Sequence, residues 1–301
     1  MSILTTGSER VLVQGITGRE GRTRAHLMRG YGTNIVAGVT PGRGGQLVDE
    51  IPVFNTVQEA VLEVGAMDIS VLFVPAPRVR TAAFEAIESG VRLLILIPDR
   101  VPVYDVIEIL SIADETGTTV VGPNTLGVLS PGQDLLGMIG GRVASAKEWF
   151  KPGPVGVTSR SGGITTSIAY YLTQAGIGIS TMVNVGGDAI VGLPHPEVLS
   201  HFEQDSTTKA VVLYGEIGSS QEERVADYIE AGTFTKPLIA YIGGRAARRG
   251  IRFSHAGAII ERGRGTYGKK VARLKEVGAH VVDVLADIAD VTREVLQDLS
   301  P

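Results

Sequence analysis

Short, uninterrupted apolar runs recur along this chain, each bounded by glycine, proline or polar residues and followed by a helix-length stretch. "RVLVQGI" (10–16), "NIVAGV" (34–39), "ISVLFVP" (69–75), "RLLILI" (92–97) and "TTVVGP" (118–123) lack the alternation of a strand with one wet face. Continuous β-branched runs of this length suit strands covered on both faces, as in a parallel sheet. Helix candidates at 20–31, 56–64, 79–89 and 102–116 fill the gaps between them. Strand–helix alternation with short connections predicts an α/β fold with a doubly wound sheet.

From about Pro123 to Gly153 the pattern loosens into a Gly- and Pro-rich stretch that carries the only Trp. Such a change marks a junction. A second series then begins, with strands expected at 154–159, 180–186, 210–216, 238–244 and 280–284 and helices at 163–175, 195–204, 219–231, 265–277 and 286–298. The expected organisation is one α/β domain over 1–125, a junction over 126–153 and a second α/β domain over 154–301. The second is a separate unit rather than a visible repeat of the first.

Composition narrows the function classes. The 301 residues are 44% hydrophobic and 20% charged, ordinary for a globular protein, and long enough for two domains. A net charge of −4 supplies no global field toward nucleic acid or anionic lipid, so neither is an expected partner. The absence of cysteine excludes disulfides, thiolate metal sites and a thiol nucleophile, and no metal site is expected. "MSILTTGSER" is too polar for a signal peptide and no apolar run reaches the ~20 residues of a membrane span, so the chain reads as cytoplasmic. Its 39 glycines are an excess, and they point to tight turns and to backbone brought close to ligands.

Four glycine-rich strand ends carry candidate chemistry. In "VLVQGITGREGR" (11–22), Gly15, Gly18 and Gly21 recur every third residue between a strand and a helix. Such a turn lets helix N-terminal N–H groups approach a phosphate, although the spacing is not the G-x-G-x-x-G dinucleotide fingerprint. "VTPGRGG" (39–45) follows the second strand, where Arg43 is either a phosphate contact or a solvated loop charge. No acidic residue suited to a ribose hydroxyl ends that strand, which disfavours an NAD-dependent dehydrogenase and favours a ligand with several phosphates, such as coenzyme A. In "TSRSGGITTS" (158–167), Ser161, Gly162 and Gly163 open a helix as an anion site or a plain cap. In "LYGEIGSS" (213–220), Glu216 ends an apolar strand, placed to orient an imidazole or to cap a helix.

The fifth feature is His255 in "SHAGAII" (254–260). A phosphoryl acceptor must be neutral, oriented by a partner, and on a loop able to reach a donor. The small neighbours Ser254, Ala256 and Gly257 leave such a ring accessible, yet a loop histidine can equally be a structural hydrogen-bonding residue.

Taken in order, "VQGITGREG", "YGTNIVAGVTPGRGG", "PVFNTVQEAV", "FVPAP", "GPNTLGVLSPG", "SRSGG", "GEIGSSQEE" and "HAGAII" resemble the α subunit of succinyl-CoA synthetase, the ADP- or GDP-forming succinate–CoA ligase. The resemblance spans nearly the whole chain. It implies an acid–thiol ligase with an N-terminal Rossmann-like CoA-binding domain followed by a flavodoxin-like domain. It implies that His255 is phosphorylated during turnover, that Glu216 orients it, and that the helix opening at Ser161, Gly162 and Gly163 cradles the phosphate. It further implies that Thr17, Gly18, Arg19, Glu20 and Arg43 bind coenzyme A, with a further CoA edge at Ile97, Pro98 and Asp99. ATP or GTP with Mg2+ would sit on a separate ATP-grasp β subunit, in keeping with the absence of G-x-x-x-x-G-K-[ST] here. A small carboxylic acid would be the third substrate.

Departures bear on the acid. Succinate enzymes usually read S-R-S-G-T-L-T-Y-E where this chain has Thr166 and Ser167 in place of the tyrosine and the acid, and "SRSGG" looks more like ATP-citrate lyase and citryl-CoA synthetase. Smaller residues leave room for a bulkier or hydroxylated acid such as malate or citrate. "IPDRVP" (97–102) replaces the usual "ITEGIP", and Pro98 removes an N–H donor at the expected CoA edge. A non-catalytic CoA-binding or sensing paralogue is the competing class, although such a binder needs neither His255 nor Glu216.

Overall fold

The computed structural model describes residues 2–247, 255 and 265–299. Two seven-stranded sheets stand in sequence order. The first holds β1 (Val11–Gln14), β2 (Ile35–Val39), β3 (Leu47–Val48), β4 (Ile51–Phe54), β5 (Ile69–Leu72), β6 (Leu93–Leu96) and β7 (Thr119–Val121), in the order β3-β4-β2-β1-β5-β6-β7. Its helices are α1 (Arg19–Tyr31), α2 (Val57–Val64), α3 (Val79–Glu88) and α4 (Val103–Thr116). All pairings are parallel except β3 with β4.

Two helix boundaries of this sheet have a clear local cause. Thr56 caps α2 by accepting the Glu59 N–H at 3.0 Å, while Glu59 reaches back to the Asn55 N–H at 2.8 Å, a reciprocal arrangement that satisfies end groups. Gly117 ends α4 in the left-handed conformation, φ +72°, which only glycine adopts without strain.

The stretch expected to be the junction carries structure of its own. It contains β8 (Gly127–Ser130), β9 (Asp134–Gly137) and α5 (Val143–Trp149). The second sheet continues with β10 (Pro152–Ser159), β11 (Ile179–Asn184), β12 (Ala210–Glu216), β13 (Leu238–Gly243) and β14 (His280–Val282), in the order β14-β13-β12-β10-β11-β8-β9. Its helices are α6 (Gly162–Gln174), α7 (His195–Gln204), α8 (Gln221–Glu230), α9 (Tyr267–Glu276) and α10 (Ile288–Asp298). The β8–β9 hairpin is antiparallel and joins the sheet along β11. Its glycines, which made the stretch look like a loop, are what permit the pairing. Gly127 lies opposite Gly137, and a Cβ on Gly127 would meet the Leu136 carbonyl oxygen at 1.8 Å.

The hairpin also joins the two halves. Thr33, just after α1, donates its hydroxyl to the Leu135 carbonyl at 2.7 Å and accepts the Leu135 N–H at 3.0 Å. Val13, Ile16 and Met28 of the first half share one buried cluster with Leu135, Val157 and Phe202 of the second. Among the described residues no helix is long and apolar enough to cross a membrane.

Gly156 on β10 leaves room for the fully buried ring of Phe202 from α7, since a Cβ there would stand 2.5 Å from its Cε1. Phe202→Ala is expected to destabilise the second sheet by about 3–5 kcal/mol, the usual cost of emptying an aromatic core site. Urea unfolding followed by circular dichroism measures it. A loss below about 1 kcal/mol would contradict this packing.

Candidate active site

Strand order reverses at β1, which has β2 on one side and β5 on the other, so the loops leaving the strand ends diverge and open a crevice. Gly15 turns at φ +78°, where a Cβ would meet the Phe73 carbonyl oxygen at 2.6 Å, and a Cβ on Gly21 would meet the Gly15 oxygen at 2.2 Å. The three-residue glycine spacing therefore folds the turn tightly onto the first turn of α1. Gly18 is the N-cap of α1 and supplies no side-chain cap, which leaves the first helical N–H groups available to an anion. Thr17 and Gly18 line a cavity of about 550 Å³ together with Thr40, Phe73 and Arg78. Arg19 and Glu20 begin α1, and Glu20 pairs with Arg24 at 3.2 Å. Arg43 is exposed outside that cavity, on a turn pinned by Asn55 Oδ1, which accepts the Gly42 and Gly44 N–H groups at 3.0 Å each.

The second sheet reverses at β10, between β11 and β12. Ser159, Arg160 and Ser161 leave the end of this strand, Ser161 is the N-cap of α6, and Gly162 is its first residue. Gly162 is required by close approach: a Cβ would stand 2.4 Å from Leu126 Cγ. Gly162, Arg160 and His255 line a cavity of about 340 Å³ whose other wall is Glu20 and Ile97–Asp99 from the first domain. Residues from both halves of the sequence thus converge on one space. Gly163 is exposed, and Thr166 lies one turn further along α6, donating its hydroxyl to the Gly162 carbonyl at 3.3 Å rather than facing that cavity.

Beside this cavity a charged chain is built into the sheet edge. Arg160 Nε donates to Glu216 Oε1 at 2.9 Å, and Glu216 Oε2 lies 2.8 Å from His255 Nδ1. Arg160 and Glu216 are both buried, whereas the His255 side chain is 22% exposed. The Arg160 Nη2 group donates to the Gly187 and Asp188 carbonyls at 3.2 and 2.9 Å, which fixes the guanidinium plane. Gly187 forms a floor under the imidazole, because a Cβ there would stand 2.7 Å from His255 Cδ2. Asn124 donates to Asp188 Oδ1 at 3.0 Å, and both line a further cavity of about 460 Å³ that His255 also faces. Burial raises the Asp188 carboxyl above its ordinary range, opposed by the Asn124 hydrogen bond. Ser254, Ala256 and Gly257 lie outside the described residues.

Comparison with known proteins accounts for both halves. Residues 6–99 match the CoA binding domain family, and residues 152–294 match the succinyl-CoA ligase like flavodoxin domain family. The succinate–CoA ligase [ADP-forming] subunit alpha 1 of Archaeoglobus fulgidus is 45% identical over 297 residues, covering 99% of each chain. The chain belongs to the α-subunit family of ADP-forming acid–CoA ligases. An ADP-forming sulfoacetate-CoA ligase subunit from an Acholeplasma species is 42% identical over 94% of each chain, so acids of different chemistry occur among relatives of similar distance. The structure of ATP citrate lyase from Methanothrix soehngenii, in complex with citrate and coenzyme A, superposes with a TM-score of 0.87 at 22% identity. The superposition covers 97% of this chain but only 50% of that one, and it shows a shared fold.

Arg78, Arg160, Asn124 and Gly187 join the site although none of them stands among the residues that the sequence marks as candidates. Arg160 stands inside "SRSGG", and its burial against Glu216, 56 positions away, is visible only in the fold. Gly187 and Asp188 follow β11 at the same sheet edge in "NVGGDA", a glycine pair as suggestive as the others.

Gly187→Ala is expected to push the imidazole off its floor and lower ligase turnover at least about tenfold, since misplacement by an ångström is that costly. Steady-state assay with a melting curve checks it, and full activity would show that the ring does not rest on Gly187. A pH effect follows from His195, whose Nδ1 lies 2.8 Å from the Thr158 hydroxyl. Burial lowers its pKa to about 4. Its folded value lies below the unfolded ~6.5, so the associated stability is present above pH ~6.5 and is lost as pH falls toward the folded pKa. The expected loss across that window is about 3 kcal/mol, and His195→Gln should flatten it in denaturant titrations.

Proposed function

We propose that this chain is the phosphoryl-carrying α subunit of a nucleotide-dependent carboxylate–CoA ligase, with His255 as the carrier. The observation that carries the proposal is the Arg160–Glu216–His255 chain facing Gly162 across a cavity shared by both domains. Arg160 occupies Oε1 of Glu216, leaving Oε2 to accept a hydrogen bond from Nδ1–H. That tautomer puts the lone pair on Nε2. Nε2 then attacks the γ-phosphorus of ATP or GTP, which with its Mg2+ is held by the ATP-grasp partner subunit, and the nucleoside diphosphate leaves. Glu216 compensates the charge on the phosphorylated ring, while the Gly162 and Gly163 N–H groups that open α6 beyond its cap Ser161, whose own N–H is donated to Ser159 Oγ at 3.1 Å, stabilise the phosphoryl oxygens.

The phosphoryl group next passes to a carboxylate oxygen of the acid, giving an acyl phosphate and regenerating His255. The CoA thiol loses its proton and attacks the carbonyl carbon, forming the thioester as phosphate departs. Coenzyme A is assigned to the cavity at Thr17 and Gly18, with contacts from Arg19 and Glu20 at the start of α1, from Arg43 on the exposed turn outside it, and from Ile97–Asp99 near its reactive end. The open N-terminus of α1 and the nearby Arg78 suit its phosphates. A CoA-sensing protein would need no buried carboxylate aimed at a histidine, which favours the enzyme.

Succinate is the proposed acid. Thr166 and Ser167, small where succinate enzymes carry tyrosine and an acid, favour malate or citrate as the second reading. With the partner subunit and γ-labelled nucleotide, wild type is expected to acquire stoichiometric, acid-labile label, and His255→Asn none. Persistent label in that variant would sink the assignment. A panel of succinate, malate, citrate and sulfoacetate, scored by CoA-dependent ADP release, decides the acid. A clear preference for succinate removes the bulkier-acid reading.

A further inference from the structure

Behind Glu216 stands a second buried carboxylate that the phosphoryl-transfer steps do not use. Glu222, in the first turn of α8, is fully buried, and its Oε1 accepts the backbone N–H of Glu216 at 2.9 Å. Its other oxygen is held by Lys270 of α9, which is itself fully buried. Lys270 also donates to Glu223 at 2.7 Å and to the Ser219 carbonyl, so one ammonium gathers the whole 219–223 turn that follows Glu216. The strand end is shaped around this carboxylate. A Cβ on Gly215 would stand 2.3 Å from Glu222 Oε1.

Removing an ammonium and a carboxylate from water costs several kcal/mol per ion, and an apolar pair of similar volume is often as stable or more so. A charge pair maintained in such a place therefore calls for a geometric purpose. The purpose available here is the position of Glu216. Its N–H is tied to Glu222 while its side chain is tied to Arg160 and His255, so backbone and carboxylate are fixed from opposite sides. Burial opposes ionisation of Glu222, but Lys270 and His195 outweigh it and hold the carboxyl below its ordinary range.

We propose that Glu222, clamped by Lys270, is a positioning residue for the reaction: it sets where β12 ends, and so holds the Glu216 carboxylate at hydrogen-bonding distance from His255. This inference rests on His255 being the phosphoryl carrier.

The test uses the complex with the β subunit and rapid-quench measurement of acid-labile label from γ-labelled ATP. Glu222→Gln and Lys270→Met are expected to slow labelling at saturating nucleotide about ten- to a hundredfold, the range typical of lost supporting contacts. The nucleotide KM and CoA affinity should stay within about twofold, because both residues are buried and neither lines the cavities assigned to the ligands. Lys270→Arg, which restores the cation, should recover most of the rate. Circular dichroism and melting curves establish folding. Should Glu222→Gln not fold, Gly215→Ala keeps both charges but displaces the carboxylate, and the same slowing is expected. Unslowed labelling in folded variants overturns this inference alone. Parallel loss of CoA affinity also overturns it, since that marks general unfolding. Absence of label in wild type overturns the carrier reading and this inference with it.

Discussion

A carboxylate buried at the end of a central strand must be compensated, and at Glu216 the compensation organises everything around it. Arg160 takes one oxygen and His255 the other, while Glu222 takes the backbone N–H. Those partners come from separate places in the chain: the end of β10, His255, the start of α8 and, through Lys270, the start of α9. Loss of Arg160 or Glu222 leaves a charge or a donor unpaired at buried atoms, which is far costlier than the net worth of a made bond. The arrangement is consequently rigid where the chemistry needs rigidity.

The same edge explains why the two domains meet as they do. Open α/β sheets place their crevices beyond the strand C-termini, where strand order reverses. Both sheets here reverse at their first long parallel strand, β1 and β10, and the β8–β9 hairpin links α1 to the second sheet through Thr33 and Leu135. The two crevices therefore face a common space, with Glu20 and Ile97–Asp99 on one wall and Gly162 and His255 on the other. Under the function proposed above, that shared space is where a CoA site and a phosphoryl carrier would be coupled.

Much of this was legible in the chain itself. The uninterrupted apolar runs determined two parallel-type sheets, because strands covered on both faces favour apolar residues at successive positions. Glycine turns at Gly15–Gly21 and Gly162 determined where helices begin close to a strand end. Glu216, at the end of its run, and His255, among small neighbours, stood out as candidates from type and setting. The β8–β9 hairpin was illegible for the opposite reason. Its Gly127–Gly137 pairing needs residues that, read singly, look like loop formers, and only the partner strand shows why no Cβ fits. The two-residue β3 escaped for its length, which is too short for any periodicity.

What the tertiary structure alone decided is contact between residues distant in sequence. Arg160 and Glu216 are 56 positions apart, and nothing local distinguishes an arginine that will be buried against a carboxylate from one that stays in water. Gly187 looks like a turn residue until the imidazole is laid on it. Glu222 looks like an ordinary acid in a first helical turn until Lys270 is seen beneath it. Residue type and periodicity determine which segments become strands and helices and which side chains have useful chemistry. The packing of those segments decides which charges lose water together, and it brings Glu216 to hydrogen-bonding distance of His255.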